Sequence, residues 1–144
     1  MVTDAQSQLQ VLSGLDNMAA KHLTAAAYLT FCNLGVIEYP LAALDHFNAG
    51  NHFTEWSLTS PHCFYQGQIT SKGLPDGRGT RIKNGGLQIG HIKLGKAHGG
   101  FIKIRQEGTL QIGVYKNDRA DGHWTVIKPD QKKFSLYYEN GVLI

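Results

Sequence analysis

The spacing of apolar positions changes along the chain. Leu23, Ala26, Ala27, Thr30, Phe31 and Leu34 recur at intervals of three and four, which places them on one face of a helix. Asp16 can accept the orphan amide hydrogens of a first turn, and Gly35 can close the last one in the left-handed conformation, so a helix is predicted between them. Pro40 suits a first helical position, and Leu41, Leu44 and Phe47 form a second stripe that Asn48 and Gly50 interrupt. A shorter helix is predicted from Asp4 to Ser13.

Further on, the period falls to two. The runs at 87–93 and 101–105 alternate apolar with polar residues and are bounded by glycine clusters, the pattern of half-buried strands. The punctuation itself repeats. Gly67, Gly90 and Gly113 are evenly spaced, and Gly77, Gly99 and Gly122 follow them at a nearly constant offset. Aligning the second strand of each unit puts Ile82, Ile104 and Ile127 in one column, flanked by Arg81, Lys103 and Val126 and by Lys83, Arg105 and Lys128. Neighbouring side chains on a strand point to opposite faces, so the isoleucines are expected on one face and the cations on the other. On the first strands, Phe64, Leu87, Leu110, Ile89 and Ile112 alternate with Tyr65, Gly67, Ile69, Gly90, Ile92, Gly113 and Tyr115.

The segments Tyr65-Gln66-Gly67, Gln88-Ile89-Gly90 and Gln111-Ile112-Gly113, with the later G-x-G glycines, resemble the MORN repeat across positions 64–144. Three full units and a partial fourth, from Lys133 to Gly141, keep the register. The sequence departs from that pattern in three ways, one being that the usual aromatic at the fifth place is occupied by Ile69, Ile92, Tyr115 and Tyr138 in turn. Only the first unit has the leading tyrosine, and its second G-x-G glycine, Gly79, is replaced by Phe101 and Trp124 in the next two. The resemblance implies an α+β chain in which short N-terminal helices precede an extended, single-layer antiparallel sheet of β-hairpins. It also implies an attachment module with no reaction of its own, since MORN repeats are implicated in protein association and in lipid binding.

Composition divides the chain at the same place. Only Gly14, Gly35 and Gly50 precede residue 64, while fourteen glycines follow it. Residues 1–63 carry a net charge of −4 and residues 64–144 one of +7, so the overall +3 conceals an acidic helical segment and a basic repeat array. Two cysteines far apart in the chain, Cys32 and Cys63, support neither a disulfide scaffold nor a zinc framework. The uncharged run at 23–37 is shorter than the roughly 20 apolar residues that span a bilayer, and a buried helix is expected there. The first residues have the pattern of neither a secretory signal nor a presequence, and an intracellular location is expected.

No catalytic constellation is expected, and no cofactor. His46, His52 and His62, beside Asp45, Glu55 and Cys63, are the densest candidate metal cluster, but their spacings match no zinc arrangement. His91, His98 and His123 fall on repeat strands and turns, where a half-exposed sheet position is expected. Gly77-Arg78-Gly79 lacks the G-K-[ST] of a phosphate loop. The candidate interaction residues are therefore the basic ones, Arg81, Lys83, Lys93, Lys103, Arg105, Lys116 and Lys128. They suit a protein partner in a larger assembly or, alternatively, an anionic membrane surface. Nucleic acid is not expected, because aromatic residues are not interleaved with these columns.

Overall fold

A computed structural model of the chain describes residues 10–35 and 51–144. Two short helices, α1 (Leu15–His22) and α2 (Ala25–Leu34), precede nine strands: β1 (His52–Ser60), β2 (Cys63–Ile69), β3 (Pro75–Lys83), β4 (Gly86–Lys93), β5 (Lys96–Ile104), β6 (Leu110–Lys116), β7 (Arg119–Ile127), β8 (Lys133–Glu139) and β9 (Val142–Leu143). All nine form one antiparallel sheet in sequence order. Each strand therefore pairs with its neighbours in the chain, and among the described residues β1 and β9 are the edges of the sheet.

The helical region differs from expectation. A single helix from Asp16 to Gly35 is replaced by two, broken at Leu23 and Thr24. The sheet anchors the break, since the Thr24 amide donates to the Gly85 carbonyl at 3.0 Å and its hydroxyl donates to the Gln106 carbonyl at 2.6 Å. That same hydroxyl accepts the Ala27 amide and caps α2, so tertiary bonding overrides local helix propensity. Gly35 ends α2 as expected, but with φ 70° and ψ −122° it lies outside the left-handed helical conformation expected there. The expected helices at Asp4–Ser13 and after Pro40 fall wholly or largely outside the described residues. The sheet begins one strand before the compositional boundary at residue 64, because β1 pairs with β2 through two register shifts. Those shifts spoil the alternation that would have betrayed β1 in the sequence.

The isoleucine column lies where the alternation put it. Phe64, Ile82, Leu87, Ile104, Leu110 and Ile127 pair in succession across six strands. This row and Ile89 pack with Val11, Leu15, Ala19, Ala27 and Phe31 into the principal core. The helices thus cover one face of the sheet, and Thr30 fixes α2 to the inter-unit turn by donating to the Gly108 carbonyl at 2.6 Å.

The opposite face has its own, smaller core of Tyr65, Ile92, Phe101 and Trp124. Here the substitutions at the second G-x-G position acquire a physical reason. In the first unit the Tyr65 ring lies over Gly79, where an added Cβ would come within 2.5 Å of it. In the next two units the ring comes from the other strand, so Phe101 covers Gly90 and Trp124 covers Gly113. Each unit keeps one aromatic ring over one glycine and exchanges the strand that supplies it.

Short turns hold the array in register. Asn84-Gly85, Leu94-Gly95, Asn117-Asp118 and Asn140-Gly141 all have positive φ at both positions, the type I′ geometry that matches strand twist. Successive hairpins are also clasped together at these turns. Gly95, Asp118 and Gly141 each donate a backbone N–H, at 2.8 Å, to Pro75, Ala97 and Ala120 of the preceding hairpin. A side chain reinforces each clasp: Asp76 accepts from Leu94 N at 2.9 Å, His98 from Asn117 N at 3.2 Å and Asp121 from Asn140 N at 3.4 Å.

Candidate functional site

Alternation delivers a row of Tyr65, Arg81, Gln88, Lys103, Gln111 and Val126 to the face opposite α1 and α2. Beside it, Phe101, Tyr115, Trp124 and Tyr138 form a ladder of edge-to-face contacts, with ring centroids 5.1, 5.0 and 6.4 Å apart in turn. Such contacts are worth about 0.5–1.5 kcal/mol each beyond area burial. The ladder gives this face a fixed apolar floor, and the glycines beneath the rings let it lie close to the backbone.

Where the polar row meets the ladder, a pocket of about 220 Å³ opens between β3 and β6, lined by Arg81, Gln88, Lys103, Ile92, Phe101, Tyr115 and Asp118 among others. Lys103 Nζ donates to Tyr115 Oη at 3.1 Å and lies 5.6 Å from the centre of that ring. The Asp118 carboxylate already accepts the Ala97 amide at 2.6 Å. Among the described residues, no carboxylate forms an ion pair with Arg81 or Lys103, and both cations are half-buried.

The predicted basic residues do not form one surface. Arg81 and Lys103 line the pocket, as their column requires. Lys83, the last residue of β3, and Arg105, just beyond β5, share a shallow depression with Gln88 and Lys103. Arg105 is also engaged by Glu107 at 2.9 Å, within its own turn. Lys128 departs from expectation. It lies beyond the end of β7 and borders a depression with Ala26, Leu29 and Ile127, toward α2, because the turn that begins there ends the strict alternation. Lys93 and Lys116 stand at the opposite rim, at the tips of the β4–β5 and β6–β7 hairpins. There each faces a cation that sequence reasoning did not single out, Lys96 and Arg119 respectively.

His91 also differs from expectation, being fully buried rather than half-exposed. Its Nε2 accepts from Arg78 Nε at 3.2 Å, and the Arg78 amide donates to Gln68 Oε1 at 3.0 Å. Burial alone lowers the affinity of Arg78 for its proton. Tyr65, almost wholly buried, donates its hydroxyl to the Gln68 carbonyl at 2.9 Å, and burial raises its pKa far above the ordinary range. These groups tie strands together. The Arg78–His91 pair was hidden in the sequence because its members sit on different strands and meet only through the β3–β4 register.

Among the described residues, no group of three or more His, Cys, Asp or Glu side chains is arranged to hold a metal ion. Asp45 and His46 lie outside those residues. Likewise, no helix of the described residues is long and apolar enough to cross a membrane, and α2 has only ten residues. No protein-family model matches this chain, and no curated protein matches it.

Proposed function

We propose that this chain is a non-catalytic interaction module built from MORN-type repeats, acting as a small structural or accessory subunit of a larger protein assembly. The observation that carries the reading is the face opposite α1 and α2, where half-buried cations, with no ion-paired carboxylate among the described residues, stand over an aromatic floor. The two half-buried cations outnumber the one carboxylate of the pocket lining, Asp118, and a partner's acidic group would offset the excess charge. The distal end adds apolar surface, since Phe134, Tyr137, Val142, Leu143 and Ile144 are all exposed. A photo-crosslinking residue at Gln111, on the face opposite α1 and α2, tests the reading in native extract. One reproducible protein adduct there, absent with the crosslinker at Lys72 in the β2–β3 turn, is expected; equal labelling from both positions would contradict it.

One observation favours a second reading, peripheral binding to anionic phospholipid. Lys93 faces Lys96 and Lys116 faces Arg119 on adjacent hairpin tips, and like charges directly opposite each other destabilise a sheet. An anionic membrane would relieve that repulsion, at about 1 kcal/mol per cation near the surface. Vesicles rich in phosphatidylserine should then pellet the protein at low salt and release it at high salt, and the Lys96→Gln/Arg119→Gln variant should pellet less. Equal pelleting with neutral vesicles would rule this reading out.

A further inference from the structure

We infer that the pocket between β3 and β6, on the face opposite α1 and α2, binds a single carboxylate group carried on a small apolar or aromatic body. The inference rests on the reading of this face as the docking face and assigns the chemistry of what anchors there.

Size gives the first constraint. At about 220 Å³ the pocket is smaller than the roughly 300–1,000 Å³ of sites that enclose a whole drug-sized ligand. It matches a group the size of a side chain, held at one end of something larger or present as a small free acid.

Polarity gives the second. Arg81, Lys103 and Gln88 belong to one continuous cross-strand row, so their donors stand side by side along one wall. Ile92, Ala97, Phe101 and Tyr115 form the apolar remainder. A guanidinium offers paired donors in the plane that a carboxylate accepts, and Gln88 can add a neutral donor. The ring contact between Phe101 and Tyr115 fixes the surface on which an apolar body would rest.

Charge gives the third. Arg81 and Lys103 oppose the one carboxylate of the lining, Asp118, which leaves a single positive charge in excess. A carboxylate cancels that excess, whereas a phosphate monoester at neutral pH overshoots it and also meets Asp118. Lys103 Nζ is already held by Tyr115 Oη, so little side-chain freedom remains to be lost on binding.

The test uses the full chain, with amide chemical shifts followed by NMR during titration with sodium benzoate, benzamide and phenyl phosphate. Benzoate is expected to shift signals from Gly79, Gln88 and Phe101, with a dissociation constant at least fivefold lower than that of benzamide. Arg81→Gln and Lys103→Met should each weaken benzoate at least fivefold while keeping the spectrum of a folded sheet, and Lys103→Arg should restore most of the binding. Equal affinity for benzoate and benzamide would overturn the charge assignment, and tighter binding of phenyl phosphate would overturn the choice of a monoanion. No localised shifts with any probe would overturn the pocket itself. A blocked Phe-Glu-Phe peptide separates the sources. Binding tighter than benzoate places the carboxylate on a protein partner, and weaker binding places it on a small free acid, with the carboxylate assignment upheld in both. Loss of benzoate binding with the Gln111 crosslink retained would remove this inference alone, whereas the converse would remove only the docking reading.

Discussion

At the scale of single residues, strain and close contact are concentrated where the repeat pattern is strictest. Leu94 occupies a type I′ turn with φ 49°, a conformation that crowds the Cβ of any L-residue and costs roughly 1–2 kcal/mol. Its side chain is exposed, and the equivalent positions hold Asn84, Asn117 and Asn140. Leu94→Asn should therefore stabilise the protein by about 1 kcal/mol, raising the thermal midpoint by a few degrees without altering the far-ultraviolet spectrum. Gly113 makes the opposite case, because an added Cβ would overlap Trp124 Cδ2, in the indole ring that covers it. Gly113→Ala should cost roughly 1–3 kcal/mol and shift Trp124 emission to the red, read in a Trp56→Phe background so that one tryptophan reports. Unchanged emission and stability would mean that the ring does not rest on that glycine.

At the scale of elements, the clasp between successive hairpins sets the register. Asp76 is the most buried of the three clasping side chains and accepts from both Leu94 N and Asn51 Nδ2. Asp76→Ala should destabilise the fold by about 1–3 kcal/mol in urea, while His98→Ala, whose counterpart bond is exposed, should cost clearly less. In the β5–β6 turn, Glu107 loses its proton more readily than usual, first because of a backbone hydrogen bond and also because of Arg105. A carboxylate with a depressed folded-state pKa contributes stability above its unfolded value and loses it as the pH falls through the folded one. Glu107→Gln should therefore flatten the stability profile on the acid side of pH 4.5, with its loss of stability fully present near neutrality and vanishing at low pH, as urea unfolding at a series of pH values would show.

These elements also show how far the sequence could be read. The regular glycine period and the Ile82, Ile104, Ile127 column announced the hairpin array, because alternation is a local signal. The break at Thr24 was hidden, because the sheet carbonyls that hold it, Gly85 and Gln106, are distant in the chain. So was β1, whose register shifts erase the alternation. The pocket was half legible. Arg81 and Lys103 stood out as a basic column, but their convergence with Gln88, Tyr115 and Asp118 depends on pairing across four strands. Lys96 and Arg119 were missed because a hairpin turn, not a repeat column, brings each opposite another cation.

At the scale of the whole molecule, a sheet in sequence order has few contacts beyond nearest neighbours, so its two faces and two edges carry different tasks. The helices cover one face, a pocket and an aromatic ladder occupy the other, and the last strands expose apolar side chains at an edge of the sheet. Open edges with apolar side chains favour association. The proposed role as one part of an assembly is tested at this scale. The most direct test is size-exclusion of gently prepared native extract, with the chain followed by antibody. The account predicts elution at several times its own 15.9 kDa, with a protein of constant identity co-eluting. Elution as a free monomer, with no co-eluting protein, would contradict it.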